Sequence, residues 1–176
     1  MVGTRTNRRV SQRRKKARVP LAKLRTSEAV RTIVAHPRRL AELLGLLDDT
    51  GRSLRGRAAA TLARLAESHP GRLIRSVERL RESLGDDSAY VRWHLVYALG
   101  RMALRYPVMA PRFLGALAAR LGDENRIVRV FASQALGSVA RRRPAVVRQA
   151  LDTSKQEVPL SLARILKREG VPARKH

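Results

Sequence analysis

The sequence predicts an all-α protein: a short α-solenoid of stacked helix pairs behind a basic N-terminal arm. Three observations carry this. Pro70, Pro107 and Pro144 stand 37 residues apart, and so do Asp49, Asp86 and Asp123, Arg55, Arg92 and Arg129, and Leu62, Leu99 and Leu136. One period shared by several columns marks a repeat architecture, in which each unit buries its apolar face against the next. Within the units apolar residues recur at helical spacing, and no segment alternates as a half-buried strand would. The first 25 residues hold ten Lys or Arg and no acid. Such a segment cannot bury a core, so residues 1–25 are expected to be disordered alone.

The body is assigned to residues 26–170 and a basic tail to 171–176. The first unit keeps "LLDDTGRSLRGRAAATLARLA" but is shortened ahead of its turn, Pro37 preceding Pro70 by 33 residues. A reduced terminal unit is what a cap looks like. In the second unit Leu73, Val77, Leu80 and Leu84 form one amphipathic helical stripe and "GDDSA" supplies turn and N-cap chemistry. Val91, Leu95, Leu99 and Met102 form the next stripe, and Pro107 closes the unit. The third unit repeats this with Leu114, Leu117 and Leu121, then "GDENR", then Val128, Ala135, Leu136 and Val139. After it, "RPAVVRQALDTSKQEVPLSLARILKREG" reads as a degenerate closing unit interrupted by Pro159.

Over residues 36–142 the chain resembles the HEAT-repeat family. The resemblance rests on a helix pair of this period, a Pro near the start of each unit, and an Asp followed six residues later by Leu-Arg or Val-Arg (Asp49/Arg55, Asp86/Arg92 and Asp123/Arg129). It implies that these six residues form a structural ladder joining neighbouring units. It further implies that the second helix of each pair lines the concave side of the stack.

Several functions are excluded or left without support by composition. There is no cysteine, hence no disulfide, thiolate metal site or cysteine nucleophile. The four histidines, at 36, 69, 94 and 176, lack ligand spacing, and His36 and His69 sit at matching places before Pro as turn residues. No metal or cofactor is expected. A threefold copy of Asp and Arg is the wrong signature for a unique catalytic site, and no phosphate-binding or nucleophile motif is present. No apolar run is long enough to span a bilayer, which predicts a soluble intracellular protein, although the Arg-rich start also fits a transit peptide.

The net charge of +24 points to a polyanionic partner. Residues 1–25 contribute +10 of it through Arg5, Arg8, Arg9, Arg13, Arg14, Lys15, Lys16, Arg18, Lys23 and Arg25, and the rest of the chain is +14. Arg52 and Arg57, with Arg55, and Arg141, Arg142 and Arg143 add basic edges. The leading expectation is therefore a non-catalytic nucleic-acid-binding protein, of chromatin or ribonucleoprotein type, holding DNA or RNA phosphates with arm and edges.

The aromatic residues support an alternative. Four of the six in the chain, Tyr90, Trp93, Tyr97 and Tyr106, fall within residues 86–107. At 100° per residue Trp93, Tyr97, Gly100 and Leu104 lie opposite the stripe of Val91, Leu95, Leu99 and Met102. The matching columns are Gly56, Ala60, Ala63 and Glu67 before, and Val130, Gln134, Gly137 and Arg141 after. The expected groove is apolar and small-residue with an aromatic centre, rather than uniformly basic. Trp93, Tyr97 and Leu104 are then either inter-repeat packing or the contacts of a scaffold that holds a protein partner. A third reading, a HEAT-like DNA glycosylase, needs an unpaired Asp in the groove columns, and none is there.

Overall fold

The chain is described over residues 19–171 in a computed structural model. Its described helices are α1 (Thr26–Ala35), α2 (Leu40–Gly45), α3 (Arg52–Ser68), α4 (Val77–Glu82), α5 (Ala89–Arg105), α6 (Pro111–Ala119), α7 (Arg126–Ala140), α8 (Pro144–Ser154) and α9 (Leu160–Arg168). No strand occurs among the described residues, and no helix there is long and apolar enough to cross a membrane. Helices α1, α3, α5, α7 and α9 pack side by side in one layer, and α4, α6 and α8 form the layer behind it.

Leu62, Leu99 and Leu136 are fully buried at equivalent places in α3, α5 and α7. The stripe of Leu73, Val77, Leu80 and Leu84 is buried too, but it does not lie on one α-helix. A 3₁₀ segment (Pro70–Ser76) leads into α4, and a second (Ser83–Gly85) follows it. Spacings of three and four suit either winding, and Gly71 and Gly85 weaken the α-form at both ends. In α7 the buried member of the stripe is Ala132, whereas Ala135 is half-buried against the preceding helix.

That contact explains a column read differently from the sequence. A Cβ on Gly100 would stand 2.7 Å from the Ala135 Cβ, and one on Gly137 2.9 Å from the Ile165 Cδ1. One on Gly56 would likewise stand 3.1 Å from the Tyr90 Cδ1. These glycines sit where successive helices of the layer approach most closely, and are buried. Gly100 still borders a hollow on the expected face, but none of the three is exposed there. Each inner helix touches a neighbour on both flanks, so its exposed strip is narrower than the half of the helix opposite its apolar stripe.

Both ends of the body also differ from expectation. Val19–Arg25 fold onto it: Leu21 is buried and its amide donates to Glu42 Oε1 at 2.7 Å. Arg39 Nη2 donates to the Val19 carbonyl at 2.8 Å, and Arg57 Nη2 to that of Ala22 at 2.6 Å. The folded body thus begins upstream of residue 26. At the other end Pro159 does not interrupt a helix but occupies the N-cap of α9, where the missing N–H costs nothing.

Candidate functional site

Two features stand out on the layer of α3, α5 and α7: a polar ladder along the edge where these helices begin, and a hollow on the exposed face. The ladder starts with a local turn. Asp49, Asp86 and Asp123 each accept through Oδ1 from the amide two residues on, at 2.8, 2.8 and 3.0 Å, which fixes the approach to the helix that follows. From inside that helix Arg55, Arg92 and Arg129 reach back, each Nη1 donating to the carbonyl of its own unit's Asp at 3.0, 2.8 and 2.7 Å.

The other side of the guanidinium crosses to the next unit. Arg55 Nε meets Asp86 Oδ2 at 2.7 Å; Arg92 Nε and Nη2 meet both Asp123 oxygens at 2.9 Å. The Arg92 and Asp123 side chains are only 6% and 3% exposed. Their hydrogen bonds hold the Arg92 guanidinium above its ordinary pKa, against the opposing effect of burial. Arg55 and Arg92 therefore each join a turn, their own helix and the following unit through one side chain.

The aromatic residues are shared between units. Trp93 stacks on Phe131 of α7 with ring centroids 4.9 Å apart, and Tyr97 meets the same ring edge-on at 6.1 Å. Tyr90 approaches Trp93 edge-on at 5.7 Å. Trp93 is thus in the inter-unit packing. Phe131 was missed from the sequence, although it stands 37 residues after His94, in the column beside Trp93.

His94 is buried beneath Tyr90 and Trp93, its Nδ1 2.7 Å from the Tyr90 carbonyl. A carbonyl only accepts, so Nδ1 carries the proton. Burial pushes the imidazole below its ordinary pKa, and the carbonyl opposes this. An unfolded His titrates near about 6.5. As the pH falls through that value the unfolded chain gains a proton that folded His94 resists, so stability falls. Unfolding midpoints in urea should drop from about pH 7.5 to about 5.5, and less steeply in His94→Asn; equal slopes would refute this.

Tyr97 also reaches the exposed face. Its hydroxyl donates to Glu67 Oε1 of α3 at 3.2 Å, and burial first, with the Glu67 charge, raises its pKa. Beside it Arg101, Leu104, Phe131 and Ser138 line a hollow of about 140 Å³. A second, of about 370 Å³, adjoins it through Arg101 and Leu104 and is walled by Glu67, Arg105 and Arg142. Arg101, Arg105 and Arg142 have no ion-pair partner among the described residues, Arg105 lying over the Tyr106 ring at 5.9 Å. The face is therefore more basic than its sequence columns implied.

Among the described residues, the basic residues expected to hold nucleic acid stand on the N-terminal segment, in the first turns of α3 and beyond the end of α7. Arg5, Arg8, Arg9, Arg13, Arg14, Lys15, Lys16 and Arg18 lie outside that range. Lys23 and Arg25 are exposed on the N-terminal segment. Arg52, at the start of α3, pairs with Asp87 at 3.4 Å, and Arg57 is engaged with Ala22. Arg141 and Arg142 are exposed beyond the end of α7, while Arg143 Nη1 donates to the Pro107 carbonyl at 2.8 Å. No cluster of His, Asp or Glu among the described residues suits a metal ion.

Layered helix pairs, a shared period and rungs at two successive junctions define a helical-repeat protein, an α-solenoid. Solved structures of that class are similar to it. A designed armadillo repeat protein in complex with the peptide (KR)4 has 20% sequence identity and a TM-score of 0.58, the match covering 85% of this chain and 77% of that one. Two further designed armadillo repeat proteins, one described as made for modular peptide recognition, have 20% identity and TM-scores of 0.59 and 0.60. They cover 83% and 84% of this chain, and 69% and 70% of theirs. No curated protein matches in sequence. The family model of Cnd1, non-SMC mitotic condensation complex subunit 1, matches residues 69–160, just over half of the sequence. The chain belongs to that family.

Proposed function

We propose that this chain is a non-catalytic protein-interaction scaffold that holds an acidic segment of a partner across the exposed face of α3, α5 and α7. The observation that carries this reading is the pair of adjoining hollows, where the unpaired cations Arg101, Arg105 and Arg142 surround apolar Leu104 and the half-buried Tyr97 ring. Aromatic and arginine side chains set in a concavity are the usual anchors of a protein interface. The family description, a subunit of a complex, supports a protein partner, and one structural neighbour holds a peptide. That peptide is (KR)4; the cations here call for a ligand of opposite sign. The period and the Asp/Arg spacing support a HEAT type of repeat.

The net charge of +24 favours a second reading, in which residues 1–25 and the basic edges hold nucleic-acid phosphates. A labelled eight-residue peptide of alternating Glu and Leu separates the two. The scaffold reading expects Arg101→Glu with Arg142→Glu to weaken its binding by about tenfold or more, since two charge-assisted contacts become repulsive. It expects deletion of residues 1–18 to change little. Unaltered peptide binding by the double variant would refute it. Duplex binding that weakens on that deletion, with a salt slope reduced by about 0.9 per lost phosphate contact, would establish the second reading.

A further inference from the structure

The ladder ends differently from how it runs. Arg129 keeps the inner half of the pattern, Nη1 donating to the carbonyls of Asp123 and Glu124 at 2.7 and 2.8 Å. In Arg55 and Arg92 the Nε and Nη2 atoms bind carboxylates of the following unit. At Arg129 these two nitrogens meet no carboxylate among the described residues. The residue 37 after Asp123 is Leu160, an exposed Leu. Helix register instead nominates Glu157, three residues ahead of α9 as each ladder Asp is ahead of its own helix. Glu157 borders the same opening but makes no ion pair with Arg129.

Between them lies a cavity of about 660 Å³, the widest of those described above. Arg126 and Arg129 supply its cations, Leu121, Val130 and Pro159 its apolar walls, and Leu160 stands beside it, 77% exposed. We propose that this cavity takes the Asp or Glu side chain of a partner polypeptide, followed by an apolar residue, so that the partner completes the last rung. Two observations select this occupant. The planar fork of arginine matches a carboxylate in two-point contact, and Arg92 with Asp123 shows that geometry one unit earlier. The apolar walls suit a polypeptide side chain better than a phosphate chain, which would leave them uncovered. The inference rests on the ladder and not on the exposed face at Arg101.

The test uses the full chain, labelled with ¹⁵N, and a capped peptide of sequence GSDLGSG, a single Asp followed by an apolar residue, with binding read at the Arg129 Nε–H resonance. A saturable shift is expected, with a peptide carrying Asn for Asp about tenfold weaker. Arg129→Lys, which keeps the charge and loses the fork, should abolish the shift of neighbouring Ser133 and Ser161 amides. Glu157→Gln should strengthen binding about threefold by removing a competing carboxylate. Should the lysine variant fail to fold, the Asn peptide and Glu157→Gln still decide. Arg101→Glu should leave this binding unchanged, which separates it from the groove reading. Three results would overturn the proposal: equal binding of the Asp and Asn peptides, saturation by inorganic phosphate at the peptide's concentration, or an Arg129 Nε–H in the free protein matching that of Arg92 and moved by Glu157→Gln.

Discussion

Asp123→Ala is expected to cost about 2–4 kcal/mol, because the buried Arg92 guanidinium loses its two-point partner and keeps only the exposed Glu124 carboxylate, 2.9 Å from Nη2. Both Asp123 oxygens hold Arg92, and Oδ1 also closes the turn onto the Asn125 amide. The loss therefore falls on the junction between the second and third units as well as on the third. Asp49→Ala is the internal control. Its carboxylate closes the same kind of turn onto Gly51 but meets no arginine of a preceding unit among the described residues, so the loss should be about 1 kcal/mol. Stability in a repeat stack is a sum of unit and junction terms, so weakening one junction should also let the two sides unfold apart. Urea unfolding gives the magnitude, and amide exchange on either side of residue 123 the separation. Equal losses for the two variants would show that the rung contributes nothing beyond the turn.

Phe113→Ala is expected to lose about 3–5 kcal/mol, by a different route. Phe113 is 1% exposed and among the largest fully buried side chains in the body, where interiors are packed at crystal density. Truncation removes its burial and leaves a void between α6 and its neighbours. Phe113→Leu keeps most of the volume and should cost less than about 1.5 kcal/mol. The same urea experiment checks both, and a loss under about 1 kcal/mol for the alanine variant would mean that the site collapses around the smaller side chain.

The repeat was legible because its cause is local and repeated. The columns of Asp, Arg and Leu record contacts made once per unit, and the leucines of three units are buried alike. The composite first helix of the second unit was not legible, since a stripe spaced by three and four fits both kinds of turn. The exposed face was legible only in part. Trp93 and Tyr97 were visible as candidates, but Phe131, which takes them up, lies a full unit away. That Gly100 and Gly137 are packed against the next helix was not legible, because helical angle alone cannot say which neighbour a residue meets.

By itself the sequence determined the all-helical class, the period, the leucine core and which residues could make a ladder, because helix formation and burial depend on spacing along one chain. It also determined the excess of positive charge. Only the tertiary structure decided which arginines remain available. Arg55, Arg57 and Arg92 are engaged by groups 31 to 35 residues away, while Arg101 and Arg142 face the open hollow. The stack also decided that Val19–Arg25 belong to the body and that the fork of Arg129 opens onto a cavity. The physical reason is common to these cases: whether a guanidinium is satisfied depends on what another unit brings within about 3 Å, a distance set by packing between helices.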